Sequence, residues 1–198
     1  MLKTYILYGS VLFLFVAISS GVLAWVNSRT YPLIQENRRL AEENARRQVF
    51  PHAFHFEKLE TEYLIYFEVF DEDEQLIGYT FIADRMGYEG IIRTMVGLNV
   101  DMSINRISIL FQRETPGLGD KCLMPSFLNR FVGLRRENLR VDRDGGTIVS
   151  LTGATITTRA ITNSIRDYIA LLEGALVDVA SRVPTETEEL GKADEMDK

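Results

Sequence analysis

Residues 62–84 read EYLIYFEVF (62–70), then an acidic run at Asp71, Glu72, Asp73 and Glu74, then LIGYTFIAD (76–84). Both runs are rich in β-branched and aromatic side chains, and the polar residues between them break the pattern, so the stretch predicts two strands joined by a hairpin turn. A calcium loop is the other use for four acids in a row, but the glycine and closing glutamate it needs are not at the required spacing. GIIRTMVGL (90–98) and INRISILFQ (104–112) predict two more strands. Downstream, ETPGLGDK (114–121) carries Pro116, Gly117 and Gly119 and predicts an irregular loop. LMPSFLNRFVG (123–133) predicts a short helix bent at Pro125, and DRDGG (142–146) a turn. Ile161, Ile165, Tyr168, Leu172, Leu176 and Val179 recur at spacings of three and four, the stripe of a helix packed on a sheet. The predicted fold is α+β: a mainly antiparallel sheet with packed helices, preceded by a single transmembrane helix.

That helix is read from the N-terminus. Tyr5 to Val26 contain no formal charge. At 1.5 Å per residue such a run crosses roughly 30 Å of hydrocarbon. Tyr5, Tyr8 and Trp25 lie near its ends, where amphipathic rings favour the interface. A cleaved signal peptide is the competing reading, with Val22 and Ala24 as a small-residue site; the length of the run favours a retained anchor. Residues 29–49 predict a polar helix with a thin apolar stripe at Leu33, Leu40, Ala41 and Ala45, a spacer ended by Pro51. The expected division is an anchor (1–28), a juxtamembrane helix (29–50), a folded domain (51–183) and an acidic, disordered tail (184–198). Lys3 precedes the span, whereas Arg29, Arg38, Arg39, Arg46 and Arg47 follow it, so the charge rule alone puts the domain in the cytoplasm.

Composition narrows the function. The 198 residues carry a net charge of −6, which does not suit a nucleic-acid partner. The single cysteine, Cys122, excludes an internal disulfide, a four-thiolate zinc site and an iron–sulfur cluster, and reads as a small buried hydrophobe. His52 and His55 stand at i, i+3 with Pro51 beside them and no carboxylate partners, a poor metal pair; no metal is expected.

The chemistry is expected at Leu151-Thr152-Gly153-Ala154-Thr155-Ile156-Thr157-Thr158, just before the last helix. Small residues there let a bulky group approach the backbone. The helix N-terminus offers unpaired N–H groups to an anion, and Thr152, Thr155, Thr157 and Thr158 add hydroxyl donors for phosphate oxygens. A plain helix cap made by threonine explains the same residues without a ligand.

TGAT followed by ITTRAITNSI resembles the flavinylation motif of the RnfG and NqrC family, subunits of Rnf-type ferredoxin:NAD oxidoreductases and sodium-pumping quinone reductases. ETPGLGDK (114–121) resembles the family's glycine loop, GYEGIIRTMVG (87–97) its preceding strand pair, and the N-terminal anchor its layout; the length fits RnfG better than NqrC. The resemblance implies an electron-transfer subunit, rather than an enzyme on its own, in a membrane complex coupled to Na⁺ or H⁺ movement. It implies FMN joined covalently to Thr155 by a phosphoester, Gly153 and Ala154 holding the phosphate, and Glu114, Thr115, Gly117 and Leu118 lining the ring; no residue is expected to be catalytic. It further implies a flavin transferase for maturation, membrane lipid and the other members of the complex as partners, and an extracytoplasmic domain, against the arginine count. Val149 stands where the family usually has an aspartate that the transferase recognises. Two other readings stay open: an FMN-binding regulatory module, and an anchored ligand-binding module without a pumping role.

Overall fold

The computed structural model describes residues 2–182, with side chains as far as Asp178. The side chain of Val179 and the acidic segment 184–198 lie outside the described residues. Five strands form one antiparallel sheet in sequence order: β1 (His55–Glu60), β2 (Ile65–Phe70), β3 (Leu76–Met86), β4 (Ile91–Asn99) and β5 (Ile104–Phe111). Three helices accompany it: α1 (Leu2–Val49), α2 (Pro125–Leu128) and α3 (Thr155–Arg182). The chain divides into two compact units, Met1–Asn44 and Ala45–Lys198.

The first unit is helix. One helix covers both the apolar run and the polar segment after it, with Pro32 inside. Among the described residues it is the one helix long and apolar enough to cross a membrane, with a mean hydropathy of 2.2 over an 18-residue window. In the polar half Arg39 pairs with Glu36 at 2.8 Å and Glu43 at 3.4 Å.

In the second unit, β2 to β5 fall on the four runs read as strands. The β2–β3 turn is the acidic one: Asp71 Oδ1 accepts the backbone N–H groups of Asp73 (3.0 Å) and Gln75 (2.9 Å), which lets Glu74 adopt φ +58°. β1 was not anticipated. Its sequence, HFEKLE, is polar and mostly exposed, as an unshared edge strand can be. His55 lies on it, stacked on Phe70 at 4.7 Å, so the two histidines do not share a helical face. The helix expected over 123–133 also differs: a 3₁₀ turn spans Gly119–Leu123, and Pro125 opens the short α2 instead of bending a longer helix. Proline's fixed φ and missing N–H suit the first helical position.

Both faces of the sheet are covered. On one, Tyr66, Phe81, Ile92, Val96 and Leu98 meet Ile161, Ile165, Ile169 and Leu172 of α3. On the other, Val69 and Met95 meet Ala45, Val49 and Phe50. Phe50 fits because Gly78 and Gly97 leave a notch: a Cβ on Gly97 would lie 2.9 Å from the Phe50 ring and 3.0 Å from Val49 Cβ, and one on Gly78 would overlap the Leu98 carbonyl oxygen. The last carbonyls of α1, which have no intrahelical donors, are taken up by the sheet. Asn105 Nδ2 donates to Val49 O at 2.7 Å and Arg106 Nη1 to Gln48 O at 3.0 Å.

α3 is fastened at its middle as well. Tyr168 Oη donates to Asp84 Oδ1 at 2.6 Å, its ring stacks with Phe81, and Arg85 pairs with Asp167 at 3.0 Å. Burial and the Asp84 carboxylate push the Tyr168 phenol up to about 12.

Two outcomes are expected. Gly97→Ala overpacks the notch and destabilises the chain by about 1–3 kcal/mol in chemical denaturation; Phe50→Leu in the same chain recovers part of that loss. The second concerns alkaline pH. A phenol whose folded pKa is raised stabilises fully below its unfolded value near 10. The stability advantage of the parent over Tyr168→Phe should therefore hold at pH 8 to 9 and shrink as pH rises through about 12.

Candidate functional site

Thr155 is the first residue of α3, and Ala154, whose carbonyl accepts the Thr158 N–H at 3.1 Å, occupies the cap position. Alanine has no side chain with which to cap, forgoing about 1 kcal/mol relative to serine or aspartate. The backbone N–H groups of Thr155, Ile156 and Thr157 therefore lack intrahelical acceptors, and the helix dipole adds to their pull on an anion. The preceding turn is closed by Ala154 N–H on Leu151 O at 2.9 Å. Gly153 in that turn has φ +78°, and a Cβ there would lie 2.9 Å from Leu118 Cδ2.

These residues form one wall of a cleft of about 640 Å³, lined by Tyr88, Glu89, Glu114, Thr115, Leu118, Gly119, Gly153, Ala154, Thr155, Ile156 and Thr157. Three segments far apart in sequence meet there: the β3–β4 turn, the loop after β5 and the first turn of α3. Glu114 joins them. Its side chain is 5% exposed. Oε1 accepts the N–H groups of Tyr88 (3.0 Å) and Glu89 (3.2 Å), and Oε2 accepts the Thr157 hydroxyl. Gly119 makes room, since a Cβ on it would sit 2.6 Å from Glu114 Cβ. Thr115 closes the outer edge, its hydroxyl donating to Glu89 Oε1 at 2.7 Å.

The residues singled out from sequence divide into groups. Gly153, Ala154, Thr155, Thr157, Glu114, Thr115 and Leu118 line the cleft. Thr152 and Gly117 are exposed beside it, Gly117 at φ +78°. The Thr158 hydroxyl is buried, donating to Ala154 O at 3.1 Å and accepting Leu151 N–H at 3.0 Å, so it builds the turn. The Thr155 hydroxyl makes no hydrogen bond among the described residues. Tyr88, Glu89, Gly119 and Ile156 line the cleft and were not singled out; Gly87 and Gly90, bracketing the β3–β4 turn, were the signal for the first two.

The loop leading into this wall is tied down. Asp142 Oδ1 accepts Ser150 N–H at 3.1 Å and the Ser150 hydroxyl, Asp144 holds Arg159 through two bonds of 2.7 and 2.8 Å, and Arg130 donates to Val149 O. Val149 itself points outward, 56% exposed. Cys122 lies buried behind the cleft; burial first, then the charges of Glu114 and Asp120, push its thiol up to about 11, so at neutral pH it is an inert thiol. Among the described residues no group of three or more His, Cys, Asp and Glu could hold a metal.

A cleft with apolar side chains, a glycine turn and an uncapped helix N-terminus is the arrangement that suits a phosphate-bearing cofactor. Residues 87–170 match the family described as FMN-binding domain. The chain is 31% identical over 192 residues to the G component of the ion-translocating oxidoreductase complex of Shewanella piezotolerans, covering 84% of this chain and 88% of that protein. The corresponding components from Escherichia coli K12 (29%; 84% and 90% covered) and Methanosarcina acetivorans (25%; 80% and 90%) are also similar. Among solved structures, NqrC of Shewanella oneidensis superposes with a TM-score of 0.48 at 19% identity, over 61% of this chain and 67% of that one. The chain belongs to the RnfG family, the G components of ion-translocating oxidoreductase complexes.

The residues present fit FMN. The volume suits a ligand of that size, the unpaired N–H groups suit its phosphate, and Leu118 and Ile156, 42% and 51% exposed, offer apolar surface to a ring. Thr157→Val should lower the unfolding free energy by about 1–3 kcal/mol, because it leaves a buried Glu114 oxygen without its donor. Thr155→Val, which removes a hydroxyl with no partner in the fold, should leave thermal unfolding of the flavin-free chain unchanged within about 0.5 kcal/mol.

Proposed function

We propose that the chain carries FMN covalently on Thr155 and passes electrons as one subunit of a membrane-bound, ion-translocating oxidoreductase complex. The family supports the second half: an RnfG protein with an FMN-binding domain is an FMN-binding electron-transfer subunit of such a complex. The observation that carries the first half is the position of Thr155. Its hydroxyl has no partner, lines the cleft, and belongs to the residue that opens the uncapped helix. An oxygen so placed, replacing the leaving group on an activated flavin nucleotide and losing its proton to solvent, puts the new phosphoester within reach of three backbone N–H donors. We assign the transfer to a separate flavin transferase: Glu89 and Glu114, the carboxylates that share the cleft, are bonded to other groups, and neither is hydrogen-bonded to the Thr155 hydroxyl among the described residues.

When bound, FMN supplies the electron chemistry; the protein supplies position and surroundings. The N–H groups of residues 155–157 hold the phosphate, Gly153 and Ala154 admit it to the backbone, and Leu118 and Ile156 exclude water from the ring. Glu114 fixes the distance between the two walls. Neither water nor a substrate has to be activated, which agrees with a carrier role.

The apolar half of α1 is read as the anchor, in contact with lipid, with the folded domain on the extracytoplasmic side. The five arginines after the span argue otherwise by the charge rule, and the resemblance to the family is what supports this orientation.

The test is flavin fluorescence after denaturation. The chain produced with a flavin transferase should run as a fluorescent band on a denaturing gel, and Thr155→Val should run dark. A dark parent band beside a labelled control protein would refute attachment at this residue.

A further inference from the structure

The charges around the cleft are one-sided. Glu114 and Glu89 line it, and among the described residues no lysine, arginine or histidine does. Glu89 is exposed, so water and salt screen it. Glu114 is not: its side chain is 5% exposed and forms no ion pair among the described residues. Its partners are two backbone N–H groups and one hydroxyl. Three donors on two oxygens suit a carboxylate acting only as acceptor. Neutral donors stabilise such an ion without cancelling its charge, so its field reaches into the cleft through a wall of low dielectric. The start of α3, which Glu114 touches through the Thr157 hydroxyl, presents partial positive charge to a phosphate through the unpaired N–H groups of residues 155–157. The cleft is thus polarised over a short distance: the backbone N–H groups attract an anion, and the Glu114 carboxylate beside the same turn opposes further negative charge in the cleft.

Resting on the reading that this cleft holds the FMN ring, we propose that Glu114 sets the cofactor's reduction potential, lowering it relative to the same cleft with a neutral side chain. Reduction adds electrons to the ring, and a fixed negative charge in the wall opposes that addition. The sense of the effect is to make the reduced protein a stronger donor. The brace and the tuning are separable properties of one side chain: glutamine keeps most of the shape and loses the charge, whereas aspartate keeps the charge on a shorter stem.

The experiment is an anaerobic spectroelectrochemical titration of the full chain in detergent, loaded with FMN, as parent, Glu114→Gln, Glu114→Asp and Glu72→Gln. Glu72 lies in the β2–β3 turn, at the far end of β3 from the cleft. Glu114→Gln should raise the potential by at least a tenfold change in the oxidised-to-reduced ratio, about 30 mV for a two-electron couple. Glu114→Asp should stay closer to the parent than to Glu114→Gln, and Glu72→Gln should not move. Equal potentials for parent and Glu114→Gln overturn the proposal, as does an equal shift in Glu72→Gln, which would report net charge alone. If Glu114→Gln does not retain flavin, Glu89→Gln decides: a smaller rise that fades at high salt supports the polarised cleft, and no rise overturns it. Gel fluorescence on the same samples reads covalent attachment separately. If it is dark, the titration is repeated with FMN added to the chain, and a chain that takes up FMN by neither route overturns both readings.

Discussion

One buried carboxylate holds the candidate site together. Glu114 accepts from Tyr88 and Glu89 in the β3–β4 turn and from Thr157 in the first turn of α3. Its own backbone N–H is held by Gln112 Oε1 at 2.5 Å. A carboxylate taken out of water is costly unless its oxygens are satisfied, so these donors have to stay where they are. That requirement ties the helix start to a turn and a loop that the β4–β5 pairing already sets side by side. The cleft wall carrying Thr155 is positioned by the same bonds, while Thr155 itself takes no part in them.

The sheet provides the frame on which this works. A meander in sequence order needs only turns between strands, so nothing crosses the end where β3 turns into β4, and that end is free to form the cleft. α3 lies across one face with its N-terminus at the cleft, and the end of α1 fills the other face at the glycine notch. Function-bearing residues sit in turns and at a helix start; the rigid parts set the distances between them.

Most of this architecture was legible in the sequence. β2 to β5 are rich in branched and aromatic residues because most of the sheet is covered on both faces, and α3 shows its stripe because a single face is buried. β1 was not legible: Glu57, Lys58 and Glu60 give an edge strand no apolar alternation to detect. The region 119–133 was misjudged because a proline can open a helix as readily as bend one, and which it does depends on the residues before it. At the site, the TGAT segment announced itself through small residues before a helix. Tyr88 and Glu89 did not, since only the β3–β4 register brings that turn beside α3. Nor could sequence show that, of two neighbouring threonines, Thr157 braces the cleft and Thr158 closes a turn, because the difference lies in which way each hydroxyl faces.

The two borders of the sheet bear on how the domain meets its neighbours. β1 is short and charged, with Lys58 bonded to Glu60 at 2.9 Å. At the other border the start of β5 is already engaged, Ile104 N–H donating to Leu134 O at 2.8 Å and Gly133 N–H to Ile104 O at 2.7 Å. An uncommitted backbone ladder would invite any extended chain to pair with it. Here one rim is salted with charge and the other is partly taken, which disfavours recruitment into a larger assembly by strand pairing. A protein crowded among others at a membrane is thereby kept from joining its neighbours by templated strand growth, the route that leads to fibres.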